Sequence, residues 1–436
     1  RNEIGILRTL DHPNIVKAYE VFEKKSSIYI VMELCSGGDL YRRLPYSEQE
    51  AAKITTKLIS AIKYMHDHDV VHRDLKFENI MFENNMPDSE IKVIDFGLSK
   101  KFLPTERVRT MSEGVGTIYT MAPQVLQGVY TSQADLWSAG VIAYMLLSSQ
   151  KPFYHKRRKR VIDKIMRGSY SFTSVLWDQM TDDSKKFVSN LIVVDPKKRM
   201  TAAQALKHSW LEKQFALSDR RPTEQLMSQV HDNIVAYKDA SDLKKLALNV
   251  IAHKSSTEEI IHLRAAFDQY DTGNDGYITF VEFKEALKEC NYPEDDIKEI
   301  FESIDVNQNG HIMYTEFLAA TLEARGGIEE ERLAEAFDRL DSDDSGYISF
   351  ENLRGLLGEE WSKGRIDELI KEADTNRDGK ISFSEFKEFF RKKTNGMALQ
   401  VGTLNETFHE SETDLVGLDA IIPGGKYDRQ RSTASS

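Results

Sequence analysis

The chain is poor in cysteine and contains no long hydrophobic run. Only Cys35 and Cys290 are cysteines among 436 residues, so no disulfide framework is indicated and a reducing compartment, the cytoplasm, fits best. The longest apolar stretch, Ala139–Leu147, spans about half a bilayer and is typical of a buried helix rather than a membrane anchor. Because the chain begins with Arg instead of Met, we expect a fragment in which an N-terminal lipidation signal, and with it membrane attachment, is not observable.

Positive charge is scarce in the second half of the chain. Residues 251–436 hold 40 Asp and Glu against 21 Lys and Arg, whereas residues 1–250 hold 30 against 37. An acidic surface argues against nucleic acid as a partner, and acids at repeated spacing are what clustered metal ligands produce. The length predicts two or three domains, because a single core rarely grows beyond about 300 residues.

Two motifs carry the chemistry of phosphoryl transfer. Residues 72–79 read H-R-D-L-K-F-E-N, and residues 95–97 read D-F-G after a short apolar strand. Transfer of the ATP γ-phosphoryl group needs positioning and charge neutralisation more than covalent catalysis. Asp74 can accept the substrate hydroxyl proton and Lys76 can reach the phosphoryl oxygens. Asn79 and Asp95 can hold Mg²⁺.

These motifs closely resemble those of the eukaryotic protein kinases, over residues 1–211, which we call the kinase-like region. The resemblance implies an α+β protein-kinase fold with an incomplete N-lobe and, through Lys76, specificity for serine and threonine. It also implies roles for further residues, namely Glu3 as the αC glutamate, Met32 and Glu33 as gatekeeper and hinge, backbone groups around Glu33 and Cys35 as the adenine contacts, and Asp135 as the anchor of the catalytic loop. Asp39 and Glu78 match acidic positions that recognise basic residues near the target hydroxyl, although plain surface carboxylates are nearly as good an interpretation.

The sequence departs from the kinase pattern in two places. It has neither the G-x-G-x-x-G loop nor the V-A-I-K lysine, so we expect the polypeptide as given to be truncated and a poor or inactive kinase. The kinase family has a glutamate at the position of Gln124, and that glutamate pairs with an arginine that matches Arg199. The neutral amide of Gln124 therefore weakens a hydrogen bond that is charge-assisted in the family. These departures keep open the alternative of a calcium-responsive pseudokinase or scaffold.

Residues 212–255 form a junction with an amphipathic helix pattern. Its apolar positions recur at helical spacing and form one face, at Leu243, Leu246, Ala247, Val250 and Ile251. Such a face usually packs on its own domain. Its place between two domains favours a regulatory helix that an acidic calcium-binding region could capture, so we predict an autoinhibitory junction.

Residues 256–393, the EF-hand region, form an internal repeat of four calcium loops at 271–282, 305–316, 341–352 and 374–385. A calcium loop needs converging oxygens within twelve residues, a sharp turn at position 6 and a bidentate carboxylate at position 12. Loop two meets these demands with Asp305, Asn307, Asn309, the His311 carbonyl and Glu316. Loop four meets them with Asp374, Asn376, Asp378, the Lys380 carbonyl, Ser382 through water, and Glu385.

Loops one and three depart from this pattern. Loop one has Asp271, Asp275, the Tyr277 carbonyl and Glu282, but Gly273 removes the position-3 oxygen and predicts a weakened site. Loop three has Asp341, Asp343, Ser345, the Tyr347 carbonyl and, at position 12, Asn352, which offers one oxygen where two are needed. Loop three is therefore the one most expected to be weak, occupied by Mg²⁺ or empty.

A kinase, a basic amphipathic junction and four EF-hands together resemble the calcium-dependent protein kinases, over roughly residues 1–393. The resemblance implies an all-α calmodulin-like domain after the kinase, with ATP, Mg²⁺ and Ca²⁺ as cofactors. It also implies protein substrates phosphorylated on Ser or Thr near basic residues, and a junction helix released from the catalytic lobe when Ca²⁺ binds. Residues 394–436 lose periodicity and are predicted to be a disordered tail.

Overall fold

Helices dominate the part of the chain that the structure describes. The computed structural model describes residues 2–24, 27–101, 109–110, 118–216, 222–290, 292–325, 328, 330–357 and 362–394. In the kinase-like region the elements, in chain order, are α1 (Asn2–Leu7), β1 (Ala18–Lys24), β2 (Ser27–Met32), α2 (Glu48–Asp67), β3 (Val70–Val71), β4 (Ile80–Phe82), β5 (Ile91–Val93), β6 (Lys100–Lys101), β7 (Arg109–Thr110), α3 (Pro123–Leu126), β8 (Val129–Tyr130), α4 (Gln133–Ser148), α5 (Arg158–Arg167), α6 (Val175–Asp178), α7 (Asp182–Leu191), α8 (Ala202–Leu206) and α9 (Ser209–Ala216).

Two long helices form the frame of this region. Helix α2 begins at a capping box, in which Ser47 and Glu50 satisfy each other's backbone amides, and its apolar face is fully buried. Helix α4 contains the predicted apolar stretch Ala139–Leu147, which is buried throughout, so that prediction is confirmed. The two helices pack against each other and hold the segment between them, which carries the catalytic motifs.

The strands pair as short antiparallel ribbons. Strands β1 and β2 form one, and β4 and β5 form another, in which Met81 lies opposite Lys92. The β4–β5 ribbon lies between the two catalytic motifs, because Asn79 precedes β4 and Asp95 follows β5. Local strand pairing therefore brings the H-R-D and D-F-G motifs together.

The junction folds as two helices, α10 (Glu224–Lys238) and α11 (Asp242–Lys254). The predicted apolar face lies on α11, where Leu243, Ala247 and Ile251 are buried. These side chains belong to a hydrophobic core that the junction shares with the EF-hand region. In this structure the face is covered by EF-hand helices.

The EF-hand region has four helix–loop–helix units in two pairs. Its elements are α12 (Thr257–Tyr270), β9 (Tyr277–Thr279), α13 (Phe280–Ala286), α14 (Glu294–Ile304), β10 (His311–Met313), α15 (Tyr314–Thr321), α16 (Glu330–Leu340), β11 (Tyr347–Ile348), α17 (Phe350–Leu357), α18 (Lys363–Ala373), β12 (Ile381–Ser382) and α19 (Phe383–Thr394). Strand β9 pairs with β10 and β11 pairs with β12, which couples loop one to loop two and loop three to loop four.

The residues up to Phe390 form one compact unit with two apolar cores. One core fills the kinase-like region, and it also includes Met313 from β10 of the EF-hand region. In the part of the chain that the structure describes, no helix is both long and apolar enough to cross a bilayer. Helix α19 ends at Thr394, and the predicted disordered tail otherwise lies outside the described residues.

Candidate active site and calcium loops

The catalytic loop is anchored from below by a buried carboxylate. Asp135, at the start of α4, is fully buried and accepts hydrogen bonds from the backbone amides of His72 and Arg73, both at 3.0 Å. The His66 Nε2 atom lies 3.0 Å from the same carboxylate. His72 in turn lies 3.0 Å from the carbonyl oxygen of Ile94, just before the D-F-G motif. The geometry predicted for Asp135 is therefore present.

Three of the predicted catalytic side chains, those of Asp74, Lys76 and Asn79, lie close together on the loop that Asp135 holds. The Lys76 ammonium lies 2.6 Å from the Asp74 carboxylate, and the Asn79 amide donates to the Asp74 carbonyl at 2.9 Å and to its carboxylate at 3.2 Å. Asp95 follows on the adjoining segment, which is held by a 2.9 Å bond from the Ile94 amide to the Asn79 carbonyl. Its exposed carboxylate accepts from the Gly97 amide. Asn79 and Asp95 offer oxygen ligands of the kind that Mg²⁺ prefers, so this pair fits the metal.

The residues predicted to contact the nucleotide are Glu3, Met32, Glu33 and Cys35. Glu3 on α1 lies beside the D-F-G turn, because a Cβ added at Gly97 would lie 3.8 Å from its carboxylate. Met32 is 41% exposed, and the Lys92 ammonium lies 2.9 Å from the Glu33 carboxylate. Burial raises the pKa of the Cys35 thiol to about 12, so it is a neutral group here.

The pair between Gln124 and Arg199 is present in weakened form. The Arg199 guanidinium lies 3.4 Å from the Gln124 amide oxygen, and the buried amide nitrogen of Gln124 has no hydrogen-bond partner among the residues that the structure describes. Arg199 compensates by donating to the Val193 carbonyl at 2.7 Å and to the Gln133 carbonyl. The neutral residue keeps the contact but gives up its charge-assisted part.

Calcium loop two is folded ready for a cation. The Asp305 carboxylate accepts from the amides of Asn309 and Gly310 at 3.1 and 2.9 Å, which sets the turn. Glu316 closes the loop by accepting from the amides of Asn307 and Met313 at 3.2 and 2.8 Å. Burial raises the pKa of Glu316 to about 7. Two buried carboxylates, with the side-chain oxygens of Asn307 and Asn309 between them in the loop, fit a divalent cation.

Loop four repeats this geometry. Asp374 accepts from the Gly379 amide at 2.9 Å, and Glu385 accepts from the amides of Asn376 and Ser382 at 3.1 and 3.0 Å. Although desolvation opposes the change, these hydrogen bonds lower the pKa of Glu385 to about 2. The side chains of Asn376 and Asp378 lie within 3.2 Å of each other at positions 3 and 5. The residues present fit Ca²⁺.

In loop three the side-chain amide of Asn352, at position 12, has an NH₂ group, which is a hydrogen-bond donor, where a glutamate would have a second oxygen ligand. The Asn352 oxygen accepts from the Ser349 amide at 2.8 Å, while its nitrogen donates to Asp343 at 3.0 Å. The Ser345 hydroxyl donates to the Tyr347 carbonyl at 3.1 Å, so two further ligand candidates are paired with each other. The Asn352 NH₂ group occupies the side from which a glutamate would offer its second oxygen. Loop three fits Ca²⁺ less well than loops two and four.

In loop one the three carboxylates are crowded. Asp271 is 4% exposed and accepts from the amides of Asp275 and Gly276 at 3.0 and 2.8 Å. Burial and the neighbouring Asp275 carboxylate raise the pKa of Asp271 well above its usual value. The Glu282 carboxylate accepts from the Gly273 amide at 2.7 Å, where other loops have a side-chain ligand nearby. Over the described ranges, no three His, Cys, Asp or Glu side chains are already arranged to hold a metal, so the loops depend on amide and backbone oxygens as well.

Sequence reasoning missed the contacts between the EF-hand and kinase-like regions. Arg264 on α12 makes a bidentate pair with Glu83, at 2.8 and 2.9 Å, and Lys92 lies 3.1 Å from the same carboxylate. Burial alone would raise the pKa of Glu83, but Lys92 and Arg264 lower it to about 2. No local pattern marks these residues, because Arg264 and Glu83 are 181 positions apart.

Loop two is joined to the kinase-like region by a second contact. The Asp11 carboxylate accepts from the Thr315 amide at 2.8 Å and from its hydroxyl at 2.7 Å. Thr315 is the residue before Glu316, at the N-terminus of α15. The kinase-like region therefore supplies the cap of the helix that leaves calcium loop two.

Comparison with known proteins agrees with both halves of this architecture. The protein kinase domain family matches residues 1–211, and the EF-hand domain pair family matches residues 261–322 and 330–391. Calcium-dependent protein kinase 11 of Oryza sativa subsp. japonica is 37% identical over 406 residues, which cover 91% of this chain and 69% of that protein. Calcium-dependent protein kinase 14 of Arabidopsis thaliana is 36% identical over 404 residues, which cover 90% of this chain and 75% of that protein.

Fold, site and calcium loops define a protein kinase joined to its own EF-hands. The chain belongs to the calcium-dependent protein kinase family. It is a calcium-activated serine/threonine kinase that uses ATP, Mg²⁺ and Ca²⁺, and it is shorter than the relatives it matches. Nothing in the comparisons favours the pseudokinase alternative.

Proposed function

We propose that Asp74, Lys76, Asn79 and Asp95 carry the transfer of the ATP γ-phosphoryl group to protein Ser and Thr hydroxyls. The observation that supports this most is the cluster of Asp74, Lys76 and Asn79, held on a loop that Asp135 fixes through two backbone amides. Asp74 accepts the hydroxyl proton of the substrate, and Lys76 neutralises charge on the moving phosphoryl group. Asn79 and Asp95 would hold Mg²⁺, which screens the charges of the phosphates.

The nucleotide and substrate contacts extend this assignment. We place the adenine against the backbone of Glu33 and Cys35, and Glu3 beside the phosphate end. Asp39 and Glu78 lie near the cluster as acceptors for basic residues flanking the target hydroxyl. The acceptor role competes with local bonds, since Asp39 caps the Tyr41 amide at 3.0 Å and Glu78 accepts from the Tyr119 hydroxyl at 2.7 Å. The scarcity of cysteine and the acidic second half of the chain support a cytoplasmic enzyme that does not bind nucleic acid.

The junction links calcium to this site. We propose that Ca²⁺ favours the arrangement seen here, in which the apolar face of α11 is buried by EF-hand helices. Without Ca²⁺ the face is released and the junction blocks the catalytic lobe. A switch from 1:99 to 99:1 requires about 10⁴-fold preferential binding, which two complete loops supply if each favours one state by about 100-fold. Loops two and four are the complete ones.

The test is peptide phosphorylation by protein made from the complete reading frame, with Ca²⁺ or with chelator. Asp74→Asn is expected to abolish labelling, because it removes the proton acceptor, while calorimetric Ca²⁺ binding stays as in the parent protein. Glu316→Gln together with Glu385→Gln is expected to abolish stimulation by Ca²⁺ and leave the folded kinase intact. Equal labelling rates of the parent protein in Ca²⁺ and in chelator would contradict the switch.

A further inference from the structure

A lysine of the kinase-like region reaches into calcium loop one. Lys63, near the end of α2, places its ammonium 3.3 Å from the Asp275 carboxylate and 3.0 Å from the Tyr277 hydroxyl. Asp67, on the same helix, lies 2.6 Å from the ammonium and also accepts from the Tyr277 hydroxyl at 3.2 Å. Positions 5 and 7 of the loop are therefore held by one cation that is covalently part of the kinase-like region.

Other residues of the kinase-like region also pack closely against loop one and α12, and we call this contact area the docking surface. Gly276, at position 6 of the loop, leaves no room for a Cβ because the His12 ring lies against it. His12 is itself buried, and its Nε2 atom lies 2.9 Å from the Ser60 hydroxyl on α2. A further buried pair, Lys57 with Asp268 at 2.8 Å, joins α2 to the helix that enters the loop. Lys63 therefore meets loop one as part of a fitted surface.

Loop one also fits Ca²⁺ less well than loops two and four. Gly273 supplies no side-chain oxygen at position 3, and a Cβ placed there would lie only 3.2 Å from Glu282 and 3.5 Å from Asp275. One Asp275 oxygen is engaged by Lys63, and within the described ranges the other, which is buried, has no hydrogen-bond partner. The loop holds three carboxylates with one ligand missing, and the positive charge beside Asp275 is that of Lys63.

We propose that Lys63 is a tethered cation for calcium loop one, so that Ca²⁺ binding at loop one opposes docking of the EF-hand region on α2. A Ca²⁺ ion bound to Asp275 would lie about 2.4 Å from its oxygen and about 5 Å from the ammonium. Repulsion between a divalent and a monovalent cation at that distance corresponds to roughly a tenfold change in affinity even with water-like screening. Linkage then requires docking to weaken Ca²⁺ binding at loop one by the same factor.

This inference rests on the proposed calcium switch and refines it. Loops two and four carry activation, whereas loop one registers docking. In the docked state the Lys63 ammonium neutralises Asp275 of loop one. The Ca²⁺ affinity of loop one is therefore high only after the EF-hand region has separated from α2. Loop one then limits activation at high Ca²⁺ instead of contributing to it.

Terbium luminescence on residues 1–436 tests the proposal without an activity assay. Tb³⁺ replaces Ca²⁺ in oxygen sites and is sensitised by a nearby tyrosine, and loops one and three carry one at position 7, Tyr277 and Tyr347. A Tyr347→Phe background removes the sensitiser of loop three. The component that disappears on adding Glu282→Gln belongs to loop one.

In that background Lys63→Met is expected to lower the half-saturating Tb³⁺ concentration of the loop-one component about tenfold. The matched control is Lys53→Met, which removes the same charge from α2 at a residue that lies 3.7 Å from Glu90, and which is expected to leave the component unchanged. Lys63→Gln gives the same test with a side chain that can still bond to Tyr277.

Equal half-saturation in the parent, Lys63→Met and Lys63→Gln would overturn the proposal. Calorimetric Ca²⁺ titration of the same proteins separates this failure from failure of the proposed function. If loops two and four bind Ca²⁺ and only loop one ignores Lys63, the tethered cation is wrong and the switch stands. If loops two and four do not bind Ca²⁺, the switch itself is wrong.

Discussion

Calcium loops two and four have equally complete ligand patterns but different surroundings. Their position-12 carboxylates are covered to the same degree, Glu316 being 6% and Glu385 7% exposed. Even so, burial raises the pKa of Glu316 to about 7, while hydrogen bonds, despite desolvation, lower that of Glu385 to about 2. Loop two has the kinase-like region behind it, through Asp11 and Thr315. Among the described residues, loop four pairs with loop three, where Lys380 lies 3.5 Å from the centre of the Tyr347 ring.

The comparison separates what a loop can bind from what its binding does. The ligand pattern, which is local in sequence, decides which ion a loop can bind. The packing of the helix that leaves the loop decides how ion binding affects the rest of the protein. We therefore expect substitutions around loop two to change the relation between the two regions, and the matched substitutions around loop four to change metal affinity alone.

The largest effect is expected for the buried ion pair of Arg264 and Glu83, whose arginine also donates to Tyr314 in loop two. Arg264→Met removes the bidentate partner of Glu83 and the donor to Tyr314, and leaves a buried carboxylate with only Lys92, at a cost of about 3–5 kcal/mol. The control Arg332→Met, on α16, breaks a pair with Glu259 that is partly solvent-exposed, and is expected to cost about 1 kcal/mol or less. Urea unfolding measures both. Equal destabilisation would show that the region behind loop two is not special.

An intermediate effect is expected from the position-12 carboxylates. Glu316→Gln and Glu385→Gln should each lower Ca²⁺ affinity of their own loop by about 100-fold, because the bidentate carboxylate is lost. Only Glu316→Gln should also increase hydrogen exchange of α2 in the presence of Ca²⁺, since its loop contacts the kinase-like region. If both variants loosen α2 to the same extent, the difference between the two loops has no consequence for docking.

The smallest effect is expected at the residue before each carboxylate. Thr315→Val removes the hydroxyl that donates to Asp11 and should destabilise the protein by about 1 kcal/mol in thermal unfolding. The equivalent residue of loop four, Ser384, is exposed, and Ser384→Ala should change stability by less than about 0.5 kcal/mol. A loss at Ser384 as large as that at Thr315 would remove the asymmetry.

Sequence patterns predicted those parts of the site that are local. Asp74, Lys76 and Asn79 lie within six positions, so their spacing alone places them together. The apolar face of α11 follows from helical periodicity, and the burial of α4 follows from its apolar run. The loop-three amide at Asn352 was recognisable because a calcium loop has a fixed ligand at that position.

The docking surface could not be predicted in this way. Lys63 and Arg264 are ordinary charged residues on helices, and Glu83 directly follows strand β4. Each becomes distinctive only through a partner more than 180 positions away. The apolar face of the junction was predicted, but periodicity does not say which neighbour covers it. Shape and charge complementarity between two folded regions is a property of surfaces that exist only after both have folded.

Met313 shows what the shared core means for the integrity of the enzyme. Its side chain comes from the calcium-binding half, yet it is buried in the apolar cluster of the catalytic half. The kinase-like region produced by itself would expose the apolar surface that Met313 covers, and this exposed surface would favour aggregation. The kinase family match ends at residue 211, but the apolar core of that region extends to Met313, so a substitution in either region can change the stability of both.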